Sequence, residues 1–168
     1  MPLIQVDPED LYQKLMTFYQ ESPKAERKLF DLLETRWTSM RLIEHFVGKY
    51  CKPNAVRVPI REAQRAADGT ITVITRPMGV HASYQSHLDM FTKKYFDCCA
   101  RGDRITYRAT SLPGKNIITT LGQLNFIRWL ILFGIIKFIR QNLALIRAHM
   151  QASIVDSQPR LPQTAGGM

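Results

Sequence analysis

From Leu121 to Ile146 the chain is overwhelmingly apolar and contains no acid, and the run from Trp129 to Ile136 is apolar throughout. A helix that is apolar on every face must be buried on every face, in protein or in lipid. Spanning lipid takes roughly 20 consecutive residues nearly free of charge, and Arg128, Lys137 and Arg140 interrupt the stretch. The protein reading is two helices parted near Gly134, a residue suited to the left-handed conformation that ends a helix. Thr119 or Thr120 caps the first, a central core helix over Leu121 to Leu132. The second opens at Ile135. At about 100° per residue, Ile135, Ile136, Ile139, Leu143, Ile146 and Met150 share one stripe, and Lys137, Arg140, Ala144, Arg147 and Ala148 lie opposite. Leu124, Ile127, Trp129, Leu130, Ile131, Ile135, Ile139 and Leu143 are therefore the expected core.

The remaining segments must cover that core. Asp7-Pro8-Glu9-Asp10 reads as a capped helix start with acids at the positive end of the helix dipole. That helix runs to about Gln20, with Leu11, Leu15 and Phe18 inward. Ser22-Pro23 starts the next. Leu29, Leu32, Leu33, Met40, Ile43 and Val47 recur at helical spacing towards Tyr50, with Thr38-Ser39 marking a kink or break, so one helix and two both fit. After Pro53 the period changes. Residues 55–60 and 70–75 are β-branched and joined through Ala67-Asp68-Gly69, which predicts a hairpin with Pro59 on an edge strand. Arg76-Pro77-Met78-Gly79 is expected to break its second strand. Ser83 is the expected cap of a helix carrying Tyr84, Leu88, Phe91 and Tyr95 on one face. A second hairpin follows, Arg104 to Arg108 with Asn116 to Thr119, turned by Ser111-Leu112-Pro113-Gly114. The fold class is α+β: N-terminal helices over 1–52, two hairpins and an apolar helical pair over 53–152, and a tail over 153–168. Gln, Pro, Ser and Gly dominate that tail, which is expected to order only in a groove of a neighbouring chain.

Charge is the strongest global signal. The formal net charge is +9, and such a balance favours polyanionic partners: nucleic acid, an anionic membrane surface or an acidic protein. No acid occurs between Asp103 and Asp156. Arg104, Arg108, Lys115, Lys137, Arg140 and Arg147 are accordingly the candidate polyanion-binding residues, with Tyr107 between two of them. Three cysteines, two of them adjacent, suggest no disulfide framework and so an intracellular setting. The N-terminus shows no secretory signal.

Enzymatic chemistry finds no support in the residues. His81 and His87 lie near Cys98 and Cys99, but the spacing matches no zinc arrangement. Pro113-Gly114-Lys115 lacks the spaced glycines of a phosphate cradle. Neither a catalytic set nor a metal, cofactor or small-molecule substrate is expected.

Ser83-Tyr84-Gln85-Ser86-His87-Leu88, Lys93-Lys94-Tyr95-Phe96-Asp97, Asp103-Arg104-Ile105 and the run from Thr119 to Trp129 resemble a functionally unassigned protein family of large nucleocytoplasmic DNA viruses. The resemblance covers roughly Val58 to Met150. Cys98-Cys99-Ala100 and Leu130 to Phe133 are more apolar than that pattern. The family carries no assigned activity, so no functional residue transfers. The resemblance implies a virion protein, a minor capsid component that meets other virion proteins. The alternative is a basic nucleic-acid-binding accessory protein.

Overall fold

The computed structural model describes residues 5–157, with side chains as far as residue 155. The described residues form an α+β fold of seven α-helices and two separate two-stranded antiparallel sheets. Helix α1 (Pro8–Gln20) is capped by Asp7, whose carboxylate accepts from the Glu9 N–H. Ser22 caps α2 (Pro23–Phe30) through the Ala25 N–H. The buried stripe of α1 is Leu11, Leu15, Met16 and Tyr19. Phe18, expected inward, is only half-buried, and its ring meets Tyr19 edge-on at 4.9 Å.

The stretch from 23 to 50 is broken. A π-helical turn, Asp31–Thr35, follows α2, and Arg36 with φ 50° reverses the backbone. Ser39 then caps α3 (Met40–His45), which passes into a second π turn, Phe46–Tyr50. A non-glycine residue at positive φ is costly, so the reversal at Arg36 requires packing on both sides. Leu32 on one side and Leu42 and Ile43 on the other are buried.

Strands β1 (Arg57–Arg65) and β2 (Ile71–Gly79) form the first hairpin, turned by Asp68-Gly69 with Gly69 at φ +86°. The expected break at Arg76 to Gly79 does not occur: β2 continues to Gly79, and Pro77 pairs with Pro59 across the ribbon. In a two-stranded ribbon every other N–H points outward and needs no partner strand. A proline pair at such a position removes no ladder bond. Helix α4 (Val80–Tyr95) begins directly at the end of β2, three residues before the expected cap at Ser83. The Ser83 hydroxyl instead accepts from the Trp129 indole N–H at 2.9 Å. Strands β3 (Arg104–Arg108) and β4 (Asn116–Thr120) form the second hairpin and deliver the chain into α5 (Leu121–Leu132), capped by Thr120.

Helix α5 is the centre. Leu124, Phe126, Ile127, Trp129 and Leu130 are buried, and so are its polar residues Gln123 and Asn125. Gln123 donates to the Cys98 carbonyl and Asn125 to the Tyr95 carbonyl, each at 2.8 Å, so they satisfy the irregular backbone after α4. Gly122 lies where that backbone comes closest. A Cβ there would stand 2.7 Å from the Lys94 carbonyl oxygen. Gly134, φ +67°, separates α5 from α6 (Ile135–Gln141) with a bend of 78°.

The second apolar helix is in fact two. Asn142 ends α6, its side chain donating to the Phe138 carbonyl, and α7 (Leu143–Ser157) starts beyond it. The break re-aims the stripe, so Ile135, Ile139 and Ile146 are buried while Leu143, Ile131 and Met150 are only partly covered. Helix α7 also runs past Ser153, where composition placed the start of the tail. The remainder of that tail, 158–168, lies outside the described residues. Among those described, no single helix is long and apolar enough to cross a membrane, and α5 with α6 reach that length only together.

Candidate functional site

The acid-free half borrows its acids from the N-terminal helices. Glu26, fully buried on α2, accepts from the Tyr107 hydroxyl, from the Thr110 N–H at 3.0 Å, and from the Ser111 N–H at 2.7 Å and hydroxyl at 2.6 Å. No cation faces it among the described residues. Burial alone would push its carboxyl up, but the Ser111 and Tyr107 hydroxyls and the Thr110 and Ser111 N–H groups outweigh that and hold it at about 2. Burial, reinforced by the same contact, drives the Tyr107 phenol well above its usual range. Glu26 joins α2 to the loop after β3 and escaped the sequence reading. Its spacing in α2 is that of any surface acid, and its donors lie some eighty positions away.

Several of the expected polyanion-binding cations are spent the same way. Arg140 pairs with the Asp31 carboxylate and stacks on the Trp37 ring at 4.5 Å. Arg147 donates to the Trp37 carbonyl at 3.0 Å, and Lys115 lies 3.5 Å from Glu34. These three hold the Asp31–Trp37 segment. Lys137 is exposed on α6, and Arg104 and Arg108 lie on the exposed side of β3, with Ile105 and Tyr107 turned to the body.

The thiols have a neighbourhood that the sequence hides. Glu44 from α3 reaches the turn at Asp97-Cys98-Cys99, and one potential ligand atom from each of these four residues falls within 4.8 Å of the others. The Cys98 and Cys99 sulfurs are 3.0 Å apart, and the Cys99 thiol donates to Glu44 at 3.2 Å. Both carboxylates already have partners. Glu44 is paired with Arg101 at 2.7 Å, and Asp97 accepts from the Cys99 and Arg101 N–H groups. Burial, with the neighbouring Cys99, drives the Cys98 thiol far up, which keeps it protonated. This is a capped turn whose soft donors lie beside a guanidinium. His81 and His87 take no part, each ring binding a backbone carbonyl, of Val47 and Ser83 respectively. His45 and His149 join α3 to α7 ring to ring at 2.8 Å, beside a groove of about 510 Å³ lined by Arg41, Glu44, Tyr84 and Met150.

A further row of unengaged cations lies on the β1–β2 ribbon. Its register places Val58, Ile60, Glu62 and Gln64 on one face with Met78, Arg76, Ile74 and Thr72. Val58 seals the base of that face, and Arg76 pairs with Glu62 at 2.6 Å. The other face carries Arg57, Pro59, Arg61, Ala63 and Arg65 with Gly79, Pro77, Thr75, Val73 and Ile71, and has no acid. Arg57, Arg61 and Arg65 are exposed and make no side-chain hydrogen bond or ion pair among the described residues. Ile71 and Val73 beside them are 60% and 58% exposed. The stripe was legible as arginines four apart in a β-patterned segment. Ending the expected strand at Ile60 concealed it.

A profile described as a family of unknown function (DUF7197) matches residues 4–157. This chain belongs to that family. The match extends the resemblance read from residues 58–150 to the N-terminal helices, whose Glu26 and Asp31 anchor the basic half. The chain is also 29% identical over 116 residues to an uncharacterized protein of Acanthamoeba polyphaga mimivirus, a match covering 67% of this chain and 41% of that relative. It thus spans less than half the length of the viral relative. The likeness to functionally unassigned proteins of large DNA viruses is borne out. No solved structure matches the chain.

Proposed function

We propose that this chain is a non-enzymatic assembly protein of a large DNA virus, a minor capsid component that uses the β1–β2 ribbon as its arm. The ribbon is the observation that supports the reading. Two-stranded hairpins standing alone are marginal in water. This one extends through nine paired positions yet is buried only at Val58, beside half-covered Ile60 and Met78. Exposed ladder edges invite pairing with another chain, and the proline pair blunts the edges only near the base. A long arm with apolar Ile71 and Val73 near its tip suits a second molecule better than it suits the body of this one.

The test uses particles. Mass spectrometry of gradient-purified virions should find the chain at a constant ratio to the major shell protein after nuclease treatment, and absence from particles overturns the proposal. A variant joining Ile60 to Arg76 through an Asn-Gly turn keeps the buried base and removes the arm, since these two residues face each other in the register. It should fold and fail to enter particles. Normal incorporation of that variant rules the ribbon out as the arm.

A further inference from the structure

We infer that the arginine face of the β1–β2 ribbon binds the phosphate backbone of double-stranded DNA. The inference rests on the ribbon being an interaction arm, and it names what one face of that arm takes. Arg57, Arg61 and Arg65 stand at alternate outward positions of a single strand. With a rise of about 3.4 Å per residue, they are spaced ~14 Å apart along ~27 Å of ribbon. Their face carries no carboxylate, and the one acid within the strands, Glu62, is turned to the other side and neutralised by Arg76. An acidic protein surface would have to present carboxylates at matching intervals. Duplex DNA presents a charge about every 1.7 Å along its axis and satisfies three widely spaced cations in any register.

The residue types and shape point the same way. All the cations of the ribbon are arginines, whose planar forks match phosphate oxygens and the guanine edge in two-pronged geometry. The major groove, about 12 Å wide, admits a two-stranded ribbon. Between the arginines lie only Pro59 and Ala63, small enough for close approach, and opposite them Thr75, Val73 and Ile71 offer a hydroxyl and exposed methyls to sugars and thymine. Of the candidate cations of the C-terminal half, Arg140, Arg147 and Lys115 are held by Asp31, Trp37 and Glu34, which leaves Arg104 and Arg108 as a shorter pair on β3 and Lys137 apart on α6.

Fluorescence anisotropy on the full chain with a short mixed-sequence duplex tests this directly. Three phosphate contacts predict a slope of log affinity against log salt of about −2.7, hence ~40-fold weaker binding at ~200 mM than at ~50 mM salt. Replacing all three residues, Arg57→Gln, Arg61→Gln and Arg65→Gln, should remove most of that slope and leave the circular dichroism spectrum unchanged. Wild-type affinity and slope in the triple variant overturn the inference. So does loss of binding in Arg104→Gln with Arg108→Gln while the ribbon is intact, and so does tighter binding to phosphatidylserine vesicles than to the duplex. Particle incorporation is scored separately. A wild-type chain that binds DNA but is absent from virions refutes the capsid role alone, and a chain that enters virions but shows no salt-dependent DNA binding refutes this inference alone.

Discussion

The two hairpins are both antiparallel pairs rich in β-branched residues, and they differ in how far they are buried. The β3–β4 hairpin has five pairs, yet Tyr107, Ile117, Thr119 and Thr120 are all buried and Tyr107 reaches the Glu26 carboxylate. The β1–β2 hairpin has nine pairs and buries Val58 alone. Length does not decide which hairpin belongs to the core. The decisive factor is whether the inward positions find apolar cover and whether the polar groups carried inward find partners. In the short hairpin the inward Tyr107 is matched by Glu26 while Arg104 and Arg108 stay exposed, and in the long one a whole face of cations carries no acid. A buried carboxylate thus ties the short hairpin to the body, and among the described residues no such tie holds the distal part of the long one.

The largest effect that sharpens this contrast is expected at Glu26. Glu26→Ala strands the Tyr107 hydroxyl and the Thr110 and Ser111 donors in a buried site, and should cost roughly 3–5 kcal/mol in denaturant unfolding. A loss below about 1 kcal/mol would mean that the β3–β4 hairpin is held by its apolar contacts alone.

Acid should act through the same group. The folded carboxyl of Glu26 sits at about 2, below the ordinary glutamate value of 4.5. The unfolded chain therefore binds the proton first, and the stabilisation is complete above pH ~4.5 and is lost as pH falls towards ~2, amounting to about 3 kcal/mol. Stability curves from pH 6 to 2 should show this limb in the natural chain, and Glu26→Gln should flatten it. A limb that persists in Glu26→Gln assigns the acid sensitivity to other carboxylates.

Hydrogen exchange separates the hairpins without mutation. Amides that pair within residues 61–65 and 71–75 should exchange at least about tenfold faster than those of 105–107 and 117–119, because the distal ribbon opens locally while the short hairpin opens with the body. Equal protection would show the ribbon to be covered in solution. The smallest effect belongs to the arginines: Arg61→Gln should leave unfolding free energy within about 0.5 kcal/mol, as for exposed side chains without partners. A larger loss would place Arg61 in an intramolecular contact and remove it from the partner surface.

Local signals carried far. Asp7-Pro8 and Ser22-Pro23 start α1 and α2 where their side chains accept the first N–H groups, and Thr120 caps α5. Gly134 ends α5 because a left-handed position needs glycine. The all-apolar helix is the central one, since an all-apolar surface has no other stable place in water. These outcomes depend on residues a few positions apart, and a sequence displays such distances. The Asn142 break was not legible, because a polar residue there is ordinary in a continuous helix and only the packing of α6 and α7 makes it a turning point. The break before α3 was legible at Thr38-Ser39, and Ser39 caps α3, but the reversal itself falls at Arg36, which nothing local singles out.

The partnership of charges was decided by tertiary structure alone. The sequence shows an acid-free half with a row of cations, which reads as one basic surface. The fold divides that row. It lays the Asp31–Trp37 segment against Arg140 and Arg147 and brings Glu44 to the Cys98-Cys99 turn across more than fifty positions. It also turns Arg57, Arg61 and Arg65 to one unpaired face. Composition records how many charges a chain has. Which of them are neutralised depends on the few ångströms between elements distant in sequence, where electrostatic interactions are strong at contact and screened beyond it.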